Sequence, residues 1–178
     1  MARMRELSRW FDRKFPFGRD VVLHPNLRAR LRGTPARLEE ACAGLPPALL
    51  TWHTDGSWSI QENAGHLGDL EELWFARLQQ FRAGAATLRA ADLDNQKTHA
   101  AGHDDRRLSA VLDEFRALRT RLCDALDRLA PADFAHTALH PRLQQPLRLF
   151  DHLEFIAEHD DHHLARIFEL RQQLVPAG

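Results

Sequence analysis

The sequence predicts an all-α chain: a four-helix bundle with a short N-terminal helix and two long inter-helix loops. Three observations carry this. Four stretches, about residues 27–45, 60–81, 108–129 and 149–174, keep apolar residues at steps of three and four. Helix breakers, among them Gly44, Pro46, Pro47, Gly84, Pro131 and Pro146, fall between those stretches. No segment alternates apolar and polar residues convincingly enough for a strand.

The 178 residues are 44% hydrophobic and 28% charged, which suits one globular domain over 1–178 with its core at about 25–175. A net charge of −1, with arginines spread among acids, gives no reason to expect nucleic acid or an anionic membrane as partner. The N-terminal run lacks the apolar centre of a secretory signal. No apolar run approaches the ~18 residues that span a bilayer. Cys42 and Cys123 are the only cysteines, each inside a helical pattern, as buried thiols in a reducing cytoplasm would be. A cytoplasmic protein is expected.

Residues 7–14 suit a short helix, with Trp10, Phe11, Phe15 and Phe17 as an aromatic anchor against the core. The first long helix starts near His24-Pro25-Asn26, with Asn26 as candidate N-cap. Leu27, Leu31, Leu38 and Cys42 form its stripe. Gly33-Thr34-Pro35 interrupts that stripe, through either a kink or a second start with Thr34 as cap and Pro35 at the first position. A turn around Asp55-Gly56 follows.

The second long helix opens with a capping box, Ser59-Ile60-Gln61-Glu62, and carries Ile60, Ala64, Leu67, Trp74, Leu78 and Phe81 to about Gly84. His66 lies at the edge of that stripe. From Gly84 to about Arg107 no period is sustained, and such long connections often wall a pocket. The third helix runs from Leu108 to about Leu129, and Pro131 stops it. A second long connection leads to about Pro146.

The last helix carries the chemistry. Its stripe is Leu149, Leu153, Ile156, Ile167, Leu170 and Leu174, and the missing rungs are Asp160 and His163. On a helical wheel His163 falls about 20° from Ile156 and His159 about 60° away on the same side. Polar groups therefore sit where the core should be, and buried polar groups need partners. Imidazoles at i and i+4 can point at one ion. In bundles such sites are built by side chains projecting inward from facing helices, so His66, His159 and His163 are candidate ligands. His162, about 100° from His163, belongs to the flank or rim.

Residues 58–67 (WSIQENAGHL) and 157–167 (AEHDDHHLARI) together resemble the DinB/YfiT-like superfamily, a metalloprotein group. The resemblance covers about residues 25–175. It implies an up-down-up-down-related bundle, often dimeric, with a divalent metal held by three histidines, here His66, His159 and His163. Members include thiol S-transferases using bacillithiol, maleylpyruvate isomerases using mycothiol, and proteins described only as metal-dependent hydrolases. A possible homodimer and a low-molecular-weight thiol cosubstrate are thus expectations from the resemblance.

Three imidazoles with an open position are the pattern of a catalytic site. Zn2+ suits it, and Ni2+ could occupy the same nitrogens. Such an ion lowers the pKa of a bound water or thiol. Asp160, beside His159, is a candidate base or supporting carboxylate; the alternative is a buried carboxylate paired with an arginine. Asp69 and Glu71 could orient His66 or be solvated. Asn95, His99, His140 and Arg142 on the long loops, and His152 two turns before His159, are candidate pocket residues, with Arg142 suited to an acidic group. The reading is a divalent-metal-dependent enzyme, thiol S-transferase-like. The alternatives are a small-molecule hydrolase, a non-catalytic metal-binding bundle and a metal-free interaction bundle.

Overall fold

In the computed structural model, which describes residues 7–54 and 56–174, four long helical members pack side by side. The first is α1 (His24–Cys42). Here α2 (Pro47–Leu50) is a single turn. The second member is α3 (Ile60–Asp69) continued by α4 (Glu71–Arg82). A short α5 (Gln96–Ala100) lies in the first long connection, followed by α6 (Leu108–Leu126) and α7 (Leu149–Leu174). α1 and α3 each pack on both α6 and α7.

Several expectations shift by a turn. Residues 7–14 form only a 3-10 turn at Trp10–Asp12, and Trp10 packs on Phe15 and Phe155. Asn26 lies inside α1 and does not cap it. Asp20 caps the 3-10 turn Val21–Leu23, accepting from Val22 N–H at 3.0 Å, and that turn runs straight into the helix. Pro25 in the first helical turn lacks an N–H that the helix would leave unpaired anyway. The Asp55-Gly56 turn rests partly on Asp55, outside the described residues. The second member is interrupted at Leu70, next to Gly68 and Asp69, two poor helix formers.

Pro35 sits inside a continuous α1. It has no N–H for the Leu31 carbonyl, one helical turn earlier. Arg119 Nη1, from α6, donates to that carbonyl at 3.2 Å. Thr34 remains helical and bonds Asp160 Oδ2 at 2.8 Å.

Arg119 is the centre of a buried ion cluster. Its guanidinium holds Asp160 at 2.5 and 3.0 Å and Glu71 Oε1 at 2.6 and 2.9 Å, with all three side chains at most 1% exposed. This tethers α4, α6 and α7 together, and Thr34 adds α1. On α7 these polar residues separate two apolar clusters, one reaching Ala157 and the other resuming at Ile167.

The second long connection does contain strands. β1 (Thr137–His140) and β2 (Gln145–Arg148) form an antiparallel hairpin, and Leu139 also pairs with residues 86–88. Four-residue strands are too short for a readable alternation, and Pro146 argues against one. The hairpin brings the end of the second member and the start of α7 together and places His140 and Arg142 beside the bundle. None of the described helices is long and apolar enough to cross a membrane.

Candidate metal centre

The Ser59/Glu62 capping box fixes where α3 begins: Ser59 Oγ accepts from Glu62 N–H at 3.0 Å, and Glu62 Oε2 accepts from Ser59 N–H at 2.9 Å. With that register set, Asn63 and His66 share the face turned to α7. There they meet His159 and His163. His66, His159 and His163 each offer one nitrogen, and the three nitrogens lie within 4.8 Å of one another. His66 Nε2 and His159 Nε2 are 3.4 Å apart. Two nitrogens at metal-bonding distance in a tetrahedral site lie about 3.3 Å apart.

The surrounding hydrogen bonds fix two of the three rings. Thr98 Oγ1 lies 2.9 Å from both His66 Nδ1 and Asp69 Oδ2. A carboxylate only accepts, so Thr98 gives its proton to Asp69 and accepts one from His66 Nδ1. His66 Nε2 is left with its lone pair facing the other histidines. Asn63 Nδ2 donates to the Ser59 carbonyl at 2.7 Å, so Asn63 Oδ1 accepts from His163 Nδ1 at 2.9 Å. His163 Nε2 is freed in the same way. His159 Nδ1 is buried without a partner among the described residues.

Asp69 therefore orients His66, as the sequence suggested, but through Thr98. Its carboxylate also accepts from His103 Nε2 at 2.9 Å. The His103 ring lies flat against Gly65, where any Cβ would overlap it. Glu71 plays no such part; it belongs to the Arg119 cluster.

Burial keeps all three candidate ligands neutral. It is the largest influence on His66, which is pushed down to about 4, and on His159 and His163, which fall well below the ordinary value. Arg119 and Arg142 add to this at His159, whereas the Asp69 carboxylate partly opposes it at His66. Neutral imidazole is the form that ligates a metal. Converging ring nitrogens, two of them with fixed tautomers, form a donor set that fits a divalent ion.

The histidines open onto a cavity of about 480 Å3, the size of a small-molecule site. Its walls include Trp10, Trp58 and Trp74, with Trp10 edge-on to His159 at 5.0 Å and Trp58 4.7 Å from His66. Asn95, His140 and Arg142 line it as expected, and His162 forms part of its rim. His99 and His152 do not line it. His99 is exposed, near Trp58; its position on the outer face of α5 turns it to solvent. His152 is buried behind His140, between Trp74 and Phe81, with neither ring nitrogen partnered among the described residues. Asp160 is corrected as well: with both oxygens committed to Arg119 and Thr34, it turns away from the cavity and has no free oxygen to act as a base. Asn63, Thr98 and Arg77 were not singled out by sequence, although Asn63 lies one turn before His66.

A four-helix bundle whose facing helices converge three neutral histidines on an open cavity is the class that fold and site define. The chain belongs to the DinB superfamily, whose family model matches residues 30–167. Among solved structures it is similar to YfiT from Bacillus subtilis, a probable metal-dependent hydrolase with an unusual four-helix bundle topology. Identity there is 21%, the TM-score is 0.80, and the match covers 91% of this chain and 93% of that one. It is also similar to the mycothiol-dependent maleylpyruvate isomerase, at 11% identity and a TM-score of 0.64, over 79% of this chain. The matched part is 59% of the isomerase's own length. These likenesses concern the fold. A search of functionally curated proteins finds no significant match.

Proposed function

We propose that the protein is a divalent-metal-dependent enzyme acting on a small molecule, with His66, His159 and His163 holding the metal and the cavity receiving the substrate. The observation that carries this reading is the convergence of three neutral ring nitrogens at the wall of an open cavity. A purely structural site would close its fourth position with a protein ligand. Asp160, beside His159 in sequence, does not close it, because Arg119 and Thr34 hold its carboxylate.

When bound, Zn2+ or Ni2+ would supply Lewis acidity and lower the pKa of a coordinated water or thiol. The chain's own residues do the remaining work. Thr98 and Asn63 hold the His66 and His163 Nδ1 protons, which keeps the Nε2 lone pairs inward. Trp10, Trp58 and Trp74 limit water at the site. Burial drives His162 on the rim down to about 4, so it adds no positive charge to the site near pH 7.

Thiol transfer to an electrophile, with a low-molecular-weight thiol as cosubstrate, is the first reading of the reaction. Family membership supports it. Hydrolysis is the second, favoured by the extensive overlap with YfiT. The test is elemental analysis of untagged protein beside His66→Ala and His159→Ala, followed by turnover assays with thiol–electrophile pairs and with esters and amides. About one equivalent of metal, lost in both variants, supports the centre. No metal, and none taken up from added Zn2+ or Ni2+, overturns it. With the centre established, turnover of the electrophiles only when a thiol is present favours transfer. Turnover of the esters or amides without a thiol favours hydrolysis.

A further inference from the structure

Among the described residues, two fully buried guanidiniums are in opposite situations. Arg119 is matched by two carboxylates. Arg77, also 1% exposed, has none among the described residues. Its Nε donates to the Arg89 carbonyl at 2.8 Å, its Nη1 donates to His140 Nε2 at 3.1 Å, and Nη2 meets no acceptor among the described residues. Burying a cation without a counter-charge is costly, and here burial lowers the Arg77 pKa to about 10. A group kept in that condition at a cavity wall is suited to a ligand that brings the missing charge.

Arg142 repeats the pattern nearby. It lines the same cavity and has no carboxylate partner among the described residues. It packs on the rings of Phe11, Trp10 and Phe155 at 4.8, 5.4 and 5.7 Å, and Nη2 reaches the Trp10 carbonyl at 3.5 Å. Both arginines act on His140 in the same wall: Arg77 bonds its ring, and the charges of Arg77 and Arg142 both lower its pKa. The other charges in the lining do not answer them. Arg166 is paired with Glu169, Arg9 is a further cation, and the Asp92 carboxylate accepts from the Asp94 and Gln96 amides.

We propose that Arg77 and Arg142 form a carboxylate-recognition subsite, and that the substrate is a small organic acid with an apolar or aromatic body. Trp74 sets the layout: its ring is 5.4 Å from the Arg77 guanidinium and 5.9 Å from the His159 ring. The indole separates the anionic end from the histidine end, so the carboxylate is divided from the reacting atom by an apolar segment. This inference rests on reading the cavity as the substrate site, and it does not depend on which reaction follows.

The test is calorimetric titration of full-length protein, stripped of metal and then reloaded with Zn2+, using benzoate and its uncharged analogue benzamide. Benzoate is expected to bind both forms. Arg77→Met and Arg142→Met should each weaken it by about tenfold or more, and Arg77→Lys should restore part of the loss. Benzamide should bind markedly more weakly than benzoate to the wild type. Equal binding of the two probes overturns the subsite, as does unchanged affinity in both methionine variants. Binding only to the Zn2+-loaded form also overturns it, because the carboxylate would then be on the metal. Arg142 is only half-buried, so its variant serves if Arg77→Met does not fold. Metal content measured on the same samples reports separately on the three-histidine centre.

Discussion

Asn63 Oδ1 lies 2.9 Å from His163 Nδ1, and that contact decides which His163 nitrogen faces the cavity. Thr98 does the same for His66. Replacing Asn63 by Leu or Thr98 by Val should therefore weaken metal binding without removing a ligand, by about 10–100-fold. His66→Ala should abolish tight binding. Competition with a chromophoric chelator for Zn2+ at pH 7.5 distinguishes the two outcomes. Equal affinity in Asn63→Leu and wild type would show that the tautomer is not set by this bond.

The buried histidines also predict how stability follows pH. His66 is lowered to about 4, and His152, His159 and His163 are well below their unfolded value near 6.5. Above about pH 6.5 they are neutral in both states, and the fold keeps its full stability. As pH falls below that, the unfolded chain takes up protons first, at a cost of up to about 1.4 kcal/mol per pH unit for each histidine. For His66 the loss continues down to about pH 4. Urea midpoints of the metal-free protein should fall steadily between pH 7 and 5. His152→Phe should flatten that slope, since it removes two unpartnered nitrogens from an aromatic environment.

The final helix was the most legible part of the chain, because polar residues interrupt a stripe otherwise kept apolar. That interruption revealed both His163 and Asp160. It could not name their partners: a buried aspartate on a core face needs a cation or a metal, and the sequence offers many arginines. Arg119 is recognisable only once α6 is seen against α7. Asn63 and Thr98 were missed for a similar reason, since a polar residue beside a helix reads the same whether it meets solvent or an imidazole. The β1–β2 hairpin is not legible because its strands of four residues are too short to show an alternation and Pro146 argues against one.

Arg119→Met should be severely destabilising, by about 3–5 kcal/mol, because it strands Glu71 and Asp160 as buried acids. Adding Glu71→Gln and Asp160→Asn should recover part of that loss. Denaturant unfolding of the single and triple variants measures the difference. A single variant as stable as wild type would mean the cluster contributes nothing net.

Gly65→Ala should displace the His103 ring and remove a donor from Asp69, at a cost of about 1–3 kcal/mol. In the His103→Ala background the same change should cost much less. A double-mutant cycle on thermal unfolding reads the coupling, and additive effects would exclude it.

Pro35 gives α1 a gap that no local interaction can close. The Leu31 carbonyl is bonded only when Arg119 arrives from α6, and Arg119 is itself neutralised only when α4 and α7 supply their carboxylates. An isolated α1 would fray at its middle, although most helices fray at their ends. Secondary structure at that point is thus a product of assembly and not a precursor to it. Amide protons around residues 31–38 should exchange only through global unfolding, at the same rate as those of α6 and the middle of α7.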